Sequence, residues 1–224
     1  MKLVSVNVGL PRLLAWRGAT FETSIFKAPV AHRVKLRTTN LEGDRQADLS
    51  VHGGPNKAVY GYPSEHYEFW NAKLPDPART WGDFGENFTT KGLVETDVSI
   101  GDRYRLGSAT IRVTTPRLPC FKLAAKFRSD DIIEHFLVSG RCGYYFAVDE
   151  EGKVGAGDEF ELLGREKTTL TIAEVNGLYT AKSPDRETLQ RSLEVKLLPE
   201  SWRERFAARL AEIGNRHHGS ATMV

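Results

Sequence analysis

The sequence of 224 residues predicts a mainly β protein with α-helices, in which a β-barrel-like domain with peripheral helices precedes a small three-helix domain. Two observations lead to this prediction. Short alternating apolar runs, separated by glycine and proline, fill the first two thirds of the chain and are typical of a barrel or a folded sheet. From about residue 168 they give way to three segments that begin like helices. We therefore assign the barrel to residues 1–165, the three helices to 168–213 and a flexible tail to 214–224.

The strands of the first domain are predicted from the alternation of apolar residues, which places every second side chain on a core face. The predicted strands cover residues 3–8, 30–36, 57–60, 98–100, 103–106, 109–114, 144–148 and 159–163. Gly101 and Gly107 mark tight turns, because glycine supplies the positive φ that such turns require. A hairpin at Gly107 and Ser108 would pair the strand of Leu106 with the strand of Ile111.

Two helices interrupt these strands. Pro63 opens a run that ends at Trp70, and the fixed φ of proline together with the early acid Glu65 favours a helix start there. The polar residues 129–131 can cap a second helix, whose apolar residues recur at helical spacing. We expect both helices to cover the open ends of the sheet.

The three-helix domain is predicted from its capping residues. Thr171 with Glu174 has the pattern of a capping box, and Ser201 with Glu204 repeats it. Between them, Ser183 precedes a proline and an acid, as a helix cap does. The last helix carries an apolar stripe that we expect in the core, formed by Trp202, Phe206, Leu210 and Ile213. Its other side carries basic residues that we expect to be solvated, namely Arg203, Arg205 and Arg209.

Composition narrows the classes of function. The net charge of +2 is too small for bulk nucleic-acid binding and leaves only local anion sites. No run approaches the roughly 18 apolar residues of a membrane-spanning helix, and the N-terminus lacks the apolar core of a signal peptide. We therefore expect a cytoplasmic protein. Its two cysteines should stay reduced, and they are too few for a structural zinc site without histidine.

Cys120 is the residue best suited to chemistry. It follows a predicted strand, in a proline-stiffened turn between Arg117 and Lys122. These two cations would stabilise a thiolate, which a nucleophile or a ligand of a soft metal requires. A small buried thiol is the alternative that the local sequence leaves open, and it is the favoured interpretation of Cys142.

A glycine-rich segment, residues 43–57, carries further polar candidates. Its glycines allow close backbone approach and its basic side chains can bind anions, but it lacks the Gly-Lys-Ser/Thr ending of a phosphate loop. Asp44, Asp48 and His52 have the spacing of a helical metal site. The glycines and proline at 53–55 would end such a helix, so a loop pinned by its carboxylates is the favoured interpretation.

A second polar segment, residues 82–90, places Glu86 and Asn87 between two phenylalanines. Their side chains would either hydrogen-bond a heterocycle or satisfy buried backbone groups, and the local sequence favours neither. The polar segments gain meaning only when they are taken together.

Six motifs follow one another along the chain: Glu42-Gly43-Asp44-Arg45-Gln46-Ala47-Asp48, His52-Gly53-Gly54, Tyr62-Pro63-Ser64-Glu65-His66-Tyr67, Phe84-Gly85-Glu86-Asn87, Gly101-Asp102 and Pro116-Arg117-Leu118-Pro119-Cys120-Phe121-Lys122. In this order they resemble the MOSC-domain proteins of the YiiM type. Residues 168–213 are similar to the three-helix domain that follows MOSC in this subgroup. The resemblance therefore covers nearly all of the chain except its tail.

The resemblance implies an activity and a cofactor. MOSC domains are barrel-like modules related to the C-terminal part of molybdenum cofactor sulfurases. YiiM-type members are similar to reductases of N-hydroxylated compounds, including base analogues such as hydroxylaminopurine. Cys120 would then be the catalytic ligand of molybdenum, a role that suits a soft sulfur donor. Arg117 and Lys122 would favour its thiolate and face the anionic cofactor.

The pterin of the molybdenum cofactor also carries a phosphate, which needs donors at some distance from the metal. We expect the cofactor-binding side chains among Arg45, His52, Lys57, Asn87, Arg117, Lys122 and Arg141. His52 or Asp48 would assist proton transfer as a catalytic residue. The sequence has no Gly-x-Gly-x-x-Gly dinucleotide loop and no iron–sulfur cysteine pattern, so a separate flavin or NAD(P)H-linked reductase is expected to donate the electrons.

Two other interpretations stay open. In the first, the domain binds the cofactor or a sulfur species and passes it on without turnover, with a persulfide on Cys120. In the second, the basic three-helix end binds a partner, and nucleic acid is the less favoured partner at this net charge. The sequence leaves the oligomeric state unassigned, with a homodimer as one option.

Overall fold

The alternating runs form a sheet in the computed structural model, which describes residues 1–47, 53–74 and 77–219, with 215–219 by their backbone alone. The strands are β1 Lys2–Val8, β2 Arg12–Trp16, β3 Ala19–Thr23, β4 Ala28–Pro29, β5 Val34–Leu36, β6 Val59–Pro63, β7 Phe88–Lys91, β8 Arg103–Leu106, β9 Ala109–Pro116, β10 Tyr144–Glu150, β11 Gly152–Val154 and β12 Phe160–Gly164. The helices are α1 His66–Lys73, α2 Phe121–Phe127, α3 Asp131–Ser139, α4 Ile172–Thr180, α5 Arg186–Glu194 and α6 Glu200–Gly219. The predicted mainly β architecture with a helical end is confirmed.

Eight strands form one curled sheet, a half-barrel, in the order β12-β8-β9-β10-β6-β7-β1-β4. Its neighbouring strands are antiparallel except for β6 and β7, which run parallel. Two ribbons, β5 with β11 and β2 with β3, stand beside it. Aromatic side chains fill much of the core, and the largest fully buried ones are Trp70, Tyr62, Tyr104, Tyr144, Phe84, Phe88, Phe136, Phe146 and Phe206.

The hairpin predicted at Gly107 is present. Gly107 has a φ of 58°, and Leu106 pairs with Ala109 across the two-residue turn. The same register pairs Tyr104 with Ile111, so the two predicted strands do lie side by side. Predicted strands also agree closely with β1, β10 and β12.

Three other predicted strands are wrong or shortened. Residues 98–100 form only a single bridge, from Ser99 to Thr171, because the Ser99 amide donates to the Asp102 carboxylate at 2.8 Å and turns the chain. Of the strand predicted at 57–60, Lys57 is the last residue of a short 3-10 helix, Pro55–Lys57, and β6 begins only at Val59. The strand predicted at 30–36 is confined to β5. The sequence analysis did not predict β2, β3, β4, β7 and β11.

The helices of the first domain differ in how well they were predicted. Helix α3 begins at Asp131, near the expected start, but its N-cap residue Asp130 makes no side-chain hydrogen bond to the first turn, so the predicted cap is not found. Helix α1 begins at His66 rather than at Pro63, because Pro63 is still paired with Thr90 as the last residue of β6. Helix α2, which follows Cys120 directly, was not predicted.

The capping box of α4 is confirmed. The Thr171 hydroxyl accepts from the Glu174 amide at 3.1 Å, and the Glu174 carboxylate accepts from the Thr171 amide at 2.7 Å. The cap predicted for α5 is wrong, since Asp185 rather than Ser183 accepts from the first turn. Proline at 184 therefore lies outside the helix.

The last helix departs from its prediction at both ends. It begins at Glu200, so Ser201 lies inside the first turn and is no cap. It continues to Gly219, beyond the predicted domain end at residue 213, and 220–224 lie outside the described residues. The domain boundaries stay a prediction. The apolar stripe packs on the core as predicted, with Phe206 fully buried and Trp202 partly buried.

One arginine of the predicted solvated face has a structural role instead. The Arg209 guanidinium donates to the carbonyls of Leu178, Tyr179 and Ala181 at the end of α4, the second of these at 3.0 Å. It thereby satisfies carbonyls that the helix leaves without partners. Within the described part of the chain, no helix has the length and apolar character needed to cross a membrane.

Candidate functional site

Cys120 lies where the chain leaves the sheet. Strand β9 ends at Pro116, and the Arg117 amide donates to the Gly143 carbonyl at 3.2 Å, which holds the start of the turn. Cys120 is then the N-cap residue of α2, with its carbonyl accepting from the Leu123 amide at 2.8 Å. Its side chain is partly exposed. A helix N-terminus and a neighbouring cation both favour the thiolate of a cysteine in this position.

Arg117 is a buried cation, with only 6% of its surface exposed. Its guanidinium carbon lies 4.9 Å from the ring centroid of Tyr60 and 5.3 Å from that of Phe136. Its Nη1 atom is buried and makes no hydrogen bond to any described residue. Burial acts to lower the pKa of Arg117, but ionisable neighbours such as Tyr60 and Cys120 outweigh it and raise the value. The guanidinium therefore stays charged, and its Nη1 atom has no acceptor among the described residues.

Arg117 and Cys120 line a cavity in the half-barrel, which we call the inner cavity. Its described walls are formed by Thr23, Ser24, Ile25, Lys27, Asp44, Gln46, Ala47, Gly53, Lys57, Tyr60, Gly85, Asn87, Arg117, Cys120, Lys122 and Tyr145. These residues include four cations and a single carboxylate. The cavity therefore has a local positive charge, although the chain as a whole is nearly neutral. This agrees with the expectation that any anion site on this chain would be local.

The single carboxylate, Asp44, is engaged by its own surroundings. One of its oxygens accepts from the Lys27 ammonium at 2.5 Å and from the Gly9 amide at 2.8 Å. Burial lowers the pKa of Lys27, while the charge of Asp44 opposes this shift. Asp44 thus pins a loop, as the favoured interpretation predicted. Asp48 and His52, its partners in the alternative metal site, lie outside the described residues.

Asn87 lines the inner cavity, but its side chain is already bonded to the protein. Its amide donates to Asp44 Oδ2 at 3.0 Å and to the Asn7 carbonyl at 3.3 Å, and its oxygen accepts from the Tyr60 amide at 3.2 Å. Asn87 therefore joins three segments of the cavity wall. Its predicted contact with a cofactor stays a prediction.

Glu86 satisfies buried backbone groups. Its fully buried carboxylate accepts from the Gly82 amide at 2.7 Å, and burial raises its pKa. Gly82 and Gly85 have positive φ, and a Cβ there would lie 2.7 Å from the Lys27 carbonyl and 2.9 Å from Ile25 Cγ1. Only glycine lets this loop pack on the segment that carries Lys27.

The other predicted binding residues divide into two groups. Lys57 and Lys122 line the inner cavity. Lys122 is 9% exposed and forms no salt bridge with any acid that the structure describes. Arg45 is exposed and does not line the cavity, and Arg141 lies instead with its guanidinium 4.0 Å from the ring centroid of Phe69. The positions of Arg45 and Arg141 therefore do not support their predicted cofactor-binding roles.

A second cavity, which we call the outer cleft, lies between the half-barrel and the last helices. Its described walls are formed by Lys57, Thr115, Pro116, Leu118, Pro119, Cys120, Tyr145, Tyr179, Ser201, Trp202 and Arg205. It shares Lys57, Cys120 and Tyr145 with the inner cavity, so the thiol lies where the two meet. The sequence analysis missed Lys27, Tyr145, Tyr179 and the role of Trp202, which no local motif marks.

Comparison with known families divides the chain in the same way as its fold. Residues 48–161 match the MOSC domain, and residues 170–212 match the YiiM-like, 3-alpha helix domain. Arg117, Cys120 and Lys122 lie inside the first match. Tyr179, Trp202 and Arg205 lie inside the second.

Three relatives illustrate the likeness in sequence. The uncharacterized protein YflK of Bacillus subtilis is 42% identical over 204 residues, which cover 91% of this chain and 92% of that protein. Protein YiiM of Escherichia coli is 37% identical over 182 residues, covering 80% and 81%. A protein of Gibberella moniliformis named reductase is 31% identical over 169 residues, covering 74% of this chain but only 30% of that longer protein.

Solved structures extend the likeness to the fold. The crystal structure of YiiM from Geobacillus stearothermophilus has a TM-score of 0.77 and 34% identity, covering 93% of this chain and 98% of that one. YiiM from Escherichia coli has a TM-score of 0.72 and 30% identity, covering 90% and 92%. Both half-barrel and helices take part in these superpositions, because the coverage leaves little of the chain unmatched.

Proposed function

Because the chain belongs to the MOSC-domain family, in its YiiM-type branch, we propose that it is a molybdenum-cofactor-dependent reductase of N-hydroxylated compounds, with Cys120 as the molybdenum ligand. MOSC domains are associated with molybdenum cofactor binding in general. One observation carries the proposal: the partly exposed thiol of Cys120 shares a cavity wall with the buried cation of Arg117.

The side-chain chemistry of the inner cavity suits the metal and the anionic groups of such a cofactor. A thiolate is a suitable donor to molybdenum, because soft ligands bind soft and redox-active metals. The buried Nη1 atom of Arg117, which makes no hydrogen bond to the described residues, would gain an anionic acceptor. We therefore assign the metal to Cys120, and the anionic groups of the cofactor to Arg117, Lys57 and Lys122.

When bound, the cofactor supplies two-electron redox chemistry that the side chains lack. In the overall reaction one N–O bond breaks, two electrons and two protons are taken up, and the amine and water leave. Asp48 and His52 stay the predicted proton donors and lie outside the described residues. The electrons require a flavin or NAD(P)H-linked reductase, and we place the reaction in the cytoplasm.

The relative from Gibberella moniliformis is named reductase, which supports a reduction as the class of reaction. That name describes a longer protein, of which this chain covers 30%. The carrier function remains the second candidate, because the same thiol could hold a persulfide. The two functions differ in whether the purified protein turns over substrate.

The test compares Cys120→Ser with Cys142→Ala in protein made in a molybdenum-replete host. We expect the unsubstituted protein to contain molybdenum and to reduce an N-hydroxylated purine with a chemically reduced dye as donor. Cys120→Ser should lose bound molybdenum and the activity. Cys142→Ala, which changes the buried thiol of the core, should keep both if its melting temperature is close to that of the unsubstituted protein.

Three outcomes decide between the candidates. Molybdenum and activity that survive Cys120→Ser would refute the ligand assignment. Cyanide-labile sulfur on Cys120, in a protein without molybdenum or turnover, would favour the carrier. Loss of both properties in Cys120→Ser alone would support the reductase.

A further inference from the structure

The outer cleft has the dimensions of a small-molecule site. Its volume is about 470 Å³, within the roughly 300–1,000 Å³ typical of such sites. Cys120 lies on its wall as well as on that of the inner cavity. A molecule in this cleft would therefore reach the proposed metal ligand from outside the inner cavity.

The half of the cleft that comes from the three-helix domain is aromatic. The rings of Tyr179 and Trp202 lie with centroids 5.5 Å apart and planes tilted by 47°. Trp202 is held from behind by the fully buried Phe206, with centroids 5.9 Å apart. Both Tyr179 and Trp202 are only partly buried. They form a fixed apolar wall on which a flat ring can stack.

Charged groups complete the wall. The Arg205 guanidinium carbon lies 4.1 Å from the ring centroid of Tyr179, so the arginine extends the stack with a cation. Arg205 and Trp202 are three positions apart on α6 and thus share one face of the helix. The described walls of the cleft contain the cations Lys57 and Arg205 and no carboxylate. This composition suits an electron-rich heterocycle that carries hydrogen-bond acceptors.

We propose that the three-helix domain selects the substrate: Trp202 stacks on a flat aromatic N-hydroxylated base, Tyr179 contacts the edge of that base, and the two residues direct its N–O group toward Cys120. The inference rests on the proposed function for its reaction, but the stacking wall is a property of the chain itself. Small N-hydroxylated compounds without a ring would not use the wall.

The test uses the holoenzyme and two substrates that differ in the ring alone, an N-hydroxylated purine and hydroxylamine. Trp202→Ala should lower kcat/KM for the purine tenfold or more, mainly through KM, which corresponds to about 1.4 kcal/mol of lost stacking. The rate with hydroxylamine and the molybdenum content should stay within about twofold. Trp202→Phe, which keeps a flat ring, should recover most of the loss.

Matched controls come from the same chain. Trp16→Ala removes a tryptophan of β2 that lines neither cavity, and Arg203→Gln removes an arginine of α6 outside the cleft. Both should resemble the unsubstituted enzyme with the two substrates. Equal losses for purine and hydroxylamine, or loss of molybdenum in Trp202→Ala, would refute substrate selection, because the wall would then serve the cofactor or the fold.

A binding measurement separates this inference from the proposed function. Adenine has the ring of the proposed substrate but no N–O bond, so its binding requires no turnover. Equilibrium dialysis should give a dissociation constant at least tenfold weaker for Trp202→Ala than for the unsubstituted protein. If neither substrate is reduced but this difference is found, the reductase proposal fails and the wall stands; if adenine binds both proteins equally or not at all, the wall is refuted.

Discussion

Arg117 combines two features in the inner cavity: it packs against aromatic rings, and it carries a charged hydrogen-bond donor. Its planar guanidinium stacks on Tyr60 and Phe136, while its Nη1 edge has no acceptor among the described residues. A lysine ammonium has no face with which to stack, so it would have only one of these features. An anionic ligand in the inner cavity would supply the acceptor and offset the cost of burying the charge.

Lys126 ties helix α2 to the loops of the inner cavity. Its ammonium donates to the carbonyls of Ile25 and Gly82, each at 3.2 Å, and lies 3.6 Å from a carboxylate oxygen of Asp83. Burial lowers the pKa of Lys126 to about 8, against the attraction of Asp83 and Glu86. The contact between Lys126 of α2 and these loops therefore changes its charge near pH 8.

We predict that Lys126→Gln changes how stability depends on pH. Between about pH 8 and pH 10.5 the unfolded chain keeps the lysine proton, whereas the folded chain has released it. In this range the free energy of unfolding of the unsubstituted protein therefore increases with pH, by up to about 1.4 kcal/mol per pH unit more than that of the variant. Denaturant unfolding of both proteins at several pH values measures this difference, and a difference independent of pH would contradict the assignment.

At the scale of elements, two similar sequence patterns have different structural roles. Thr171 caps α4, whereas Ser201 lies within the first turn of α6. We predict that Thr171→Ala lowers the free energy of unfolding by about 1 kcal/mol, because the bond from the Glu174 amide is lost. Ser201→Ala is the matched control and should change it by less than about 0.5 kcal/mol. Denaturant unfolding measures both, and equal losses would show that the capping geometry is wrong.

Elements with local causes could be predicted from the sequence. The turn at Gly107 and the cap at Thr171 depend on residues within a few positions of one another. Strand β7 was missed because Phe88, Thr89 and Thr90 are all buried, so neither face of the strand shows polar alternation. A capping pair such as that of Ser201 also requires extended backbone at the cap, which the residue pattern does not report.

The residues of the candidate site show the same difference: those that are close in sequence could be predicted together, and those that folding brings in from distant segments could not. Arg117, Cys120 and Lys122 could be predicted as one group because a single turn carries them. Lys27 reaches the inner cavity only through the folding of the segment after β3, and Trp202 reaches the outer cleft from the last helix. Arg45 was selected for its charge, but charge alone does not reveal which way a side chain points.

At the scale of the whole molecule, the cleft requires the three-helix domain to be fixed against the half-barrel. Asp102 holds this junction. Its fully buried carboxylate accepts from Arg165 Nε and Nη2, each at 2.6 Å, from the Ser99 amide at 2.8 Å and from the Tyr104 hydroxyl at 3.3 Å. Arg165 also donates to the Asp97 carbonyl at 2.7 Å. The segment that leaves the sheet is thereby clamped just before the helices begin.

We predict that Asp102→Ala lowers the free energy of unfolding by about 3 kcal/mol, at the lower end for a broken buried pair because Arg165 can turn toward water. Asp149→Ala is the matched control: this carboxylate pairs with Arg103 and Arg112 near the surface, at 3.2 Å each, and its loss should cost about 1 kcal/mol or less. Denaturant unfolding compares the two. Because Asp102 acts at the junction, its variant should also be cleaved faster by protease near residues 165–168, and equal stability losses or unchanged cleavage would mean that the clamp does not hold the domains together.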